Sequence, residues 1–394
     1  MITFCYDRIA NEHTGYPNIA RWRAEPYTPE WRRFDNKWPS SVPLRLLMYF
    51  YYNSIPYQIV PAESAENAWY PIAFGWFDFS CDYISLIPKP TLSRIRSNNV
   101  KILFYYHEGD NPYRIQQRLD LLCQQHDLPV ESYVFVSANT AADLIDNFVY
   151  FPDHEFFFRH VNRKQSAEQN NLARTYDFTL LSRTHKWWRA SCVYDLTSAG
   201  LLDNSLWSYH VANDLNEDPN DNPIELDRVN GWRSGVEEFV RHAPYTCDEF
   251  DSTQQNDHHL VNASLYQTSC FHIVLETHFD ADQSNGSFIT EKTYKPIKYG
   301  QPFIVVGPAG TLQQLKRDGY CVFDDVFDTH YDSIENNTDR WLAIKELIHG
   351  LKTQGTQRVF ARCQQGILHN QQMFFDRTEE PLNNLQRKLI CLIK

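Results

Sequence analysis

The stretch that most constrains the fold runs from Ser287 to Gly310 and reads SFITEKTYKPIKYGQPFIVVGPAG. A polar, charge-bearing segment from Thr290 to Tyr299 stops at Gly300 and gives way to Pro302 and the apolar run Phe303–Val306. That order reads as helix, stop and buried strand. The turn Gly307-Pro308-Ala309-Gly310 then opens a second helix-like segment, Thr311–Asp318, closed by Gly319. The rhythm is that of a βαβ unit, which leaves ligand space at the carboxyl end of the strand.

Glu291 and Lys292 fall in the first turn of the first helix, where backbone N–H groups and the positive end of the dipole favour an anion. A diphosphate fits there with Lys292 as countercharge; the plainer alternative is a surface helix with a solvated Glu-Lys pair. Pro296 has no N–H, so it is expected to kink the helix.

The first half of the chain alternates strand and helix. Leu44–Val60 reads as a helix then a strand, Ile72–Phe79 and Tyr83–Leu86 as extended pieces, and Pro88–Asn98 as a short helix. Val100–Tyr106 is an apolar strand that ends in the polar cluster His107-Glu108-Gly109-Asp110, where open α/β sheets place their chemistry. Tyr113–His126 reads as an amphipathic helix and Tyr133–Val136 as the next strand. His160–Arg174, poor in apolar anchors, is the expected linker. Beyond it, the strand Tyr176–Leu181 leads into Ser182, Arg183, His185, Lys186 and Arg189 around the start of another helix. Trp341–Gly350 and Arg358–Gln372 read as helical.

FITEKTYKPIKYGQPFIVVG resembles the donor-site signature of the α1,3-fucosyltransferase-like glycosyltransferases, in which a Thr-Glu-Lys helix start follows a strand ending in Glu-Asn-Ser. Here that strand is Cys270–Thr277: Glu276 matches, and Thr277 departs from the family's Asn. Phage and viral glycosyltransferase-like proteins are similar in pattern too, through Thr-Glu-Lys-Thr, Lys-Pro and a following Phe-Asp-Asp, here Phe323-Asp324-Asp325. The resemblance implies donor contacts from Thr290, Glu291, Lys292 and Glu276. It also implies a diphosphate contact from Arg189, seven residues past Ser182, with Arg183, His185 and Lys186 matching a basic run of the viral proteins. It places the catalytic base at Glu108, where the family's strand ends in Gly-Glu; Asp110 and His107 stay open as competitors, since imidazole also suits proton transfer at neutral pH.

The formal charge of −12 disfavours a broad nucleic-acid groove. One local exception, Arg21–Lys37, carries two tryptophans and five basic residues, which fits an acceptor groove or an aromatic loop packed over a domain. The nine cysteines form no Cys-x-x-Cys and read as reduced thiols. No segment approaches the roughly 18 apolar residues of a membrane span, and no secretory signal is evident; the expectation is a soluble protein of the cytoplasm, in a bacterial or virus-infected cell. Asp280-Ala281-Asp282 lies in a polar loop, and His272, Glu276 and His278 lack a fourth ligand at a metal-site spacing, so neither is taken as a metal site. No phosphate loop, nucleophile elbow or dinucleotide fingerprint is present.

Together these features lead us to expect an α/β protein of two Rossmann-like lobes of the GT-B type facing across a cleft. The expected divisions are residues 1–165 on the acceptor side, 175–365 for the nucleotide-sugar, and a tail, 366–394, packing back on the first. The expected activity is transfer of a sugar from a nucleotide-sugar to an acceptor hydroxyl of a glycan or similar molecule. Inversion, with neither metal nor other cofactor, is part of that expectation. A viral DNA-modifying glycosyltransferase and a non-catalytic sugar-binding protein remain as alternatives.

Overall fold

The computed structural model describes residues 1–6, 44–74, 77–162, 173–212, 220, 222–225, 232–247, 262–280, 285–376 and 379–393. The Arg21–Lys37 segment, Thr253–His259 and Asp282 lie outside these residues, as does most of the linker candidate and of the acidic stretch Asn213–Pro223. The chain forms two compact units: Met1–His160 with Ser284–Phe288 and Thr378–Lys394, and Val161–Gln283 with Ile289–Arg377.

The first unit holds the strands β1 (Ile2–Tyr6), β2 (Tyr57–Pro61), β3 (Ala68–Phe74), β4 (Val100–Tyr106), β5 (Tyr133–Ser137) and β6 (Phe148–Tyr150). All pairings are parallel, in the order β2-β1-β3-β4-β5-β6. A parallel sheet needs both faces covered, which explains why β4 is apolar along nearly its whole length. Its Ile102, Phe104 and Tyr106 belong to one core, and Leu103 and Tyr105 to another on the opposite face. The first core includes Ile115, Leu119, Leu122 and Cys123 of the helix Pro112–Gln125, spaced to make one apolar stripe. That helix starts where Asn111 accepts from the Tyr113 N–H at 3.0 Å, with Pro112 at its first position. The second core takes in Leu382, Leu385 and Leu389 of the last helix, Glu380–Leu392.

The second unit is built on β7 (Tyr176–Thr184), β8 (Leu206–Ala212), β9 (Ser269–Leu275) and β10 (Phe303–Val306), again all parallel, in the order β10-β9-β7-β8. Each sheet is wound in the same sense: the second strand lies on one side of the first, and the third and fourth on the other. The switch points fall between β1 and β3 in one unit and between β7 and β9 in the other, and open α/β sheets bind ligands outside the carboxyl ends of strands at such points. Both units are therefore Rossmann-like, of the doubly wound α/β class. Arg340, 1% exposed, braces the second sheet by donating to the carbonyls of Gly307, Phe279, Ile334 and Glu335.

Tyr83–Leu86, expected to be extended, is instead a run of turns. Asp82 Oδ1 captures the Ser85 N–H at 3.0 Å and Asp78 Oδ1 that of Ser80 at 2.8 Å, so aspartates hold backbone that a strand would have used. All nine cysteines are free thiols. Among the described residues no helix is long and apolar enough to cross a membrane.

Candidate functional site

The carboxyl end of β9 is Glu276-Thr277, directly beside the second unit's switch point. Glu276 is fully buried, and all four acceptor positions of its carboxylate are filled. Oε1 takes the Thr290 N–H at 3.2 Å and the Thr293 hydroxyl at 2.6 Å; Oε2 takes the Thr290 hydroxyl at 2.7 Å and the Thr277 N–H at 3.1 Å. Glu276, from which the resemblance implies a donor contact, organises the start of the helix Glu291–Lys298, whose N-cap is Thr290. Its charge lies where the helix dipole favours an anion.

Lys292 stands at the solvent side of the same network, its side chain 30% exposed. Its Nζ lies 3.2 Å from the hydroxyls of both Thr277 and Thr290 and 3.4 Å from Glu291 Oε1. Glu291 is buried and also lies 4.0 Å from Lys295 Nζ. Pro296 is the sixth residue of the helix, which continues two residues beyond it.

A second helix, Trp187–Ser198, starts at the carboxyl end of β7 and points its first residues at the same place. Arg189, 3% exposed, donates to the carbonyl oxygen of Glu276 at 2.5 Å and to that of Thr184 at 3.3 Å. Lys186 Nζ donates to the Thr277 carbonyl at 2.9 Å. Six of the sequence-predicted residues, Lys186, Arg189, Glu276, Thr290, Glu291 and Lys292, are thus brought together around two consecutive backbone positions. His185 turns elsewhere: its Nδ1 lies 2.6 Å from the Tyr209 hydroxyl on β8, and burial pushes its pKa down. Arg183 is half-buried as the penultimate residue of β7.

Other motifs resolve differently. His272 stacks on Tyr266 with ring centroids 5.0 Å apart. Burial first, and Lys295 second, pushes its pKa down to about 3. Phe323 packs against Phe303 and adopts φ 64°, unusual for a bulky residue, while Asp324 pairs with Lys316 at the surface. The amino end of the helix Thr311–Arg317 is occupied by the Asp332 carboxylate, which accepts from Leu312 N at 2.9 Å and Gln313 N at 3.0 Å. Among the described residues no three His, Cys, Asp or Glu side chains converge as metal ligands.

In the first unit, Glu108 follows β4 with its side chain 32% exposed. Two imidazoles flank its Oε1: His107 Nε2 at 3.5 Å and His154 Nε2 at 3.9 Å. Asp110 accepts from the Tyr106 hydroxyl, whose pKa is pushed up by burial first and by Asp110 and Glu108 next. Behind this cluster lies the segment ending in Phe288. The Ser287 N–H donates to the Thr140 hydroxyl at 2.9 Å, and the Phe288 ring meets His154 edge-on at 5.2 Å. A Cβ at Gly109 would lie 2.0 Å from that ring, so only glycine admits it.

Sequence reasoning missed Thr277, Thr293 and His154 as members of these clusters. Thr293 had a readable signal, since it stands three residues past the N-cap Thr290, at the capping-box position. For His154 no local pattern pointed to Glu108.

No protein-family model matches the chain, and no curated protein is similar to it in sequence at a significant level. A solved structure, the crystal structure of a GtfA/B complex, is similar with a TM-score of 0.41 and 11% identity, over 89% of this chain and 60% of that one. The chain thus spans about 60% of the length of the chain it matches. The doubly wound class of both units follows from the strand order of the two sheets.

Proposed function

We propose that the protein is a glycosyltransferase that binds a nucleotide-sugar at the carboxyl ends of β7 and β9 and passes the sugar to an acceptor hydroxyl. The observation that carries this reading is the convergence of Lys186, Arg189, Lys292 and a helix amino terminus on Glu276-Thr277 beside the switch point. Departure of a nucleoside diphosphate builds negative charge on phosphate oxygens, and fixed cations and N–H dipoles stabilise such charge without reorganising. In this reading Lys292, partly exposed and held by two hydroxyls, takes one phosphate oxygen. Lys186 stands on the opposite atom of Thr277. Arg189 and Glu276 act from behind, fixing the backbone and the helix cap that present these groups.

Glu108 is the proposed base. It takes the acceptor hydroxyl's proton on Oε1 while the hydroxyl oxygen attacks the anomeric carbon and the diphosphate leaves, a single displacement with inversion. In this reading the basic cluster takes the place of a metal ion.

A thermal-shift screen against GDP, UDP, CMP and dTDP, with and without Mn²⁺, tests the reading, because a ligand that binds only the native state raises the melting temperature by mass action. Stabilisation by one of them, retained without metal, is the expected result. Stabilisation by none of the four, with saccharides stabilising the protein in a parallel screen, would favour a non-catalytic sugar-binding protein instead.

A further inference from the structure

A separate cavity of about 520 Å³ opens between the helices Trp187–Ser198 and Trp232–Arg241 and the amino half of the edge strand β8. Tyr194 and Thr197, on its wall, lie about 8 Å and about 12 Å along their helix from Arg189. Trp207 pairs with Leu180 in the sheet, several residues before the carboxyl ends where the donor cluster sits.

The lining is of two kinds. Trp207, Phe239 and Tyr245 form an aromatic wall: Tyr245 stacks on Phe239 with centroids 4.6 Å apart and an interplanar angle of 11°, and Trp207 lies 5.4 Å from Tyr245. Tyr245 is fixed by a two-way backbone bridge to Tyr209, at 2.8 and 2.9 Å, so this wall is part of the sheet edge. Tyr194 closes another side, its hydroxyl over Gly235, where a Cβ would lie 2.1 Å from it. The polar part is rich in acceptors. Among the described lining residues Glu238 is the one Asp, Glu, Lys or Arg. The Nδ1–H of His242 donates to the Glu238 backbone carbonyl at 2.8 Å, so Nε2 is the acceptor whenever the ring is neutral.

We infer that this cavity is a second binding site, for a neutral carbohydrate. A pyranose presents a flat C–H face that packs on aromatic rings and a rim of hydroxyl donors that matches the Glu238 carboxylate and His242 Nε2. Among the described lining residues there is no Lys or Arg, which disfavours phosphate-bearing ligands, including the nucleotide-sugar itself. The site is independent of the proposed transferase activity and would give the protein a hold on a glycan chain away from the reacting hydroxyl.

Saturation-transfer NMR on the whole protein tests it, with methyl β-D-glucopyranoside, methyl β-D-galactopyranoside, N-acetylglucosamine and fucose as probes and tetramethylammonium as a cationic competitor. The expected result is transfer to the ring C–H protons of at least one saccharide. Trp207→Ala should weaken it roughly three- to tenfold, the worth of one aromatic contact. Ser198→Trp, at an exposed position on the rim, should block it without touching the sheet. Near-UV circular dichroism confirms that each variant is folded. Absence of saccharide transfer in the wild type, or transfer that survives Ser198→Trp unchanged, would overturn the inference. So would binding of tetramethylammonium alone, which would assign the cavity to organic cations.

Discussion

Replacing Glu276 by Gln changes one atom and no volume, yet the structure makes it costly. Each carboxylate oxygen accepts one backbone N–H, from Thr290 on Oε1 and from Thr277 on Oε2. The hydroxyls of Thr290 and Thr293 can rotate to accept instead of donate, but the N–H groups cannot. Whichever oxygen becomes the amide NH₂, two donors face one another in a site with no solvent. A buried unsatisfied donor costs about 1–3 kcal/mol, and losing the charge weakens the bonds that remain, for a total of about 2–4 kcal/mol. For a unit of this size that corresponds to a fall in melting temperature of roughly 5–15 °C. Calorimetry and urea titration of wild type and Glu276→Gln measure it, with Thr293→Val as a companion that removes a single hydroxyl. A Glu276→Gln protein melting within about 2 °C of wild type would refute the reasoning, because such a small loss is what a solvated carboxylate gives.

Three further outcomes are expected. His272 binds its proton far less readily in the folded than in the unfolded state (about 3 against about 6.5), so stability is undiminished above pH 6.5 and is lost as pH falls from there towards 3. Between pH 6 and 4 the wild type should therefore lose stability faster than His272→Phe, by up to about 1.4 kcal/mol per pH unit, and parallel curves in urea titrations would contradict the assignment. Glu108→Gln should lower turnover by roughly 10²–10⁴ while nucleotide affinity stays within about twofold; a larger loss in Asp110→Asn or His107→Ala would move the base to that residue. Donor binding and turnover should survive EDTA, and their loss on chelation, reproduced by Asp280→Ala, would point to a metal-dependent class.

Much of the second unit was legible because its signals are local. Thr290 caps its helix through its own hydroxyl, Gly300 stops that helix at φ 64°, and Phe303–Val306 is a strand over the range its apolar run indicated. What was not legible depends on atoms brought from far along the chain. The sequence marks Glu276 as acidic at a strand end, but its saturation by Thr290 and Thr293 appears only when the helix folds back on the strand. The short segment ending at Phe288 belongs to the first unit, although the residues on both sides of it belong to the second. Its anchor is a glycine over a hundred residues earlier, and no periodicity records such a fit. Within Phe148–Phe158 the polar Asp153, His154 and Glu155 divide an apolar run in the sequence; they are the first turn of a helix, where acidic residues suit the dipole.

The central claim is that Lys292 holds a nucleoside diphosphate at the amino end of the helix Glu291–Lys298. Isothermal titration calorimetry tests it most directly, using the nucleotide that the thermal screen selects, on the wild type and on Lys292→Ala. A charge-assisted hydrogen bond is worth about 1.5–3 kcal/mol, so the variant should bind roughly 10- to 150-fold more weakly with an unchanged melting temperature in the absence of nucleotide. Equal affinity in the two proteins, or no nucleotide binding by the wild type, would contradict it.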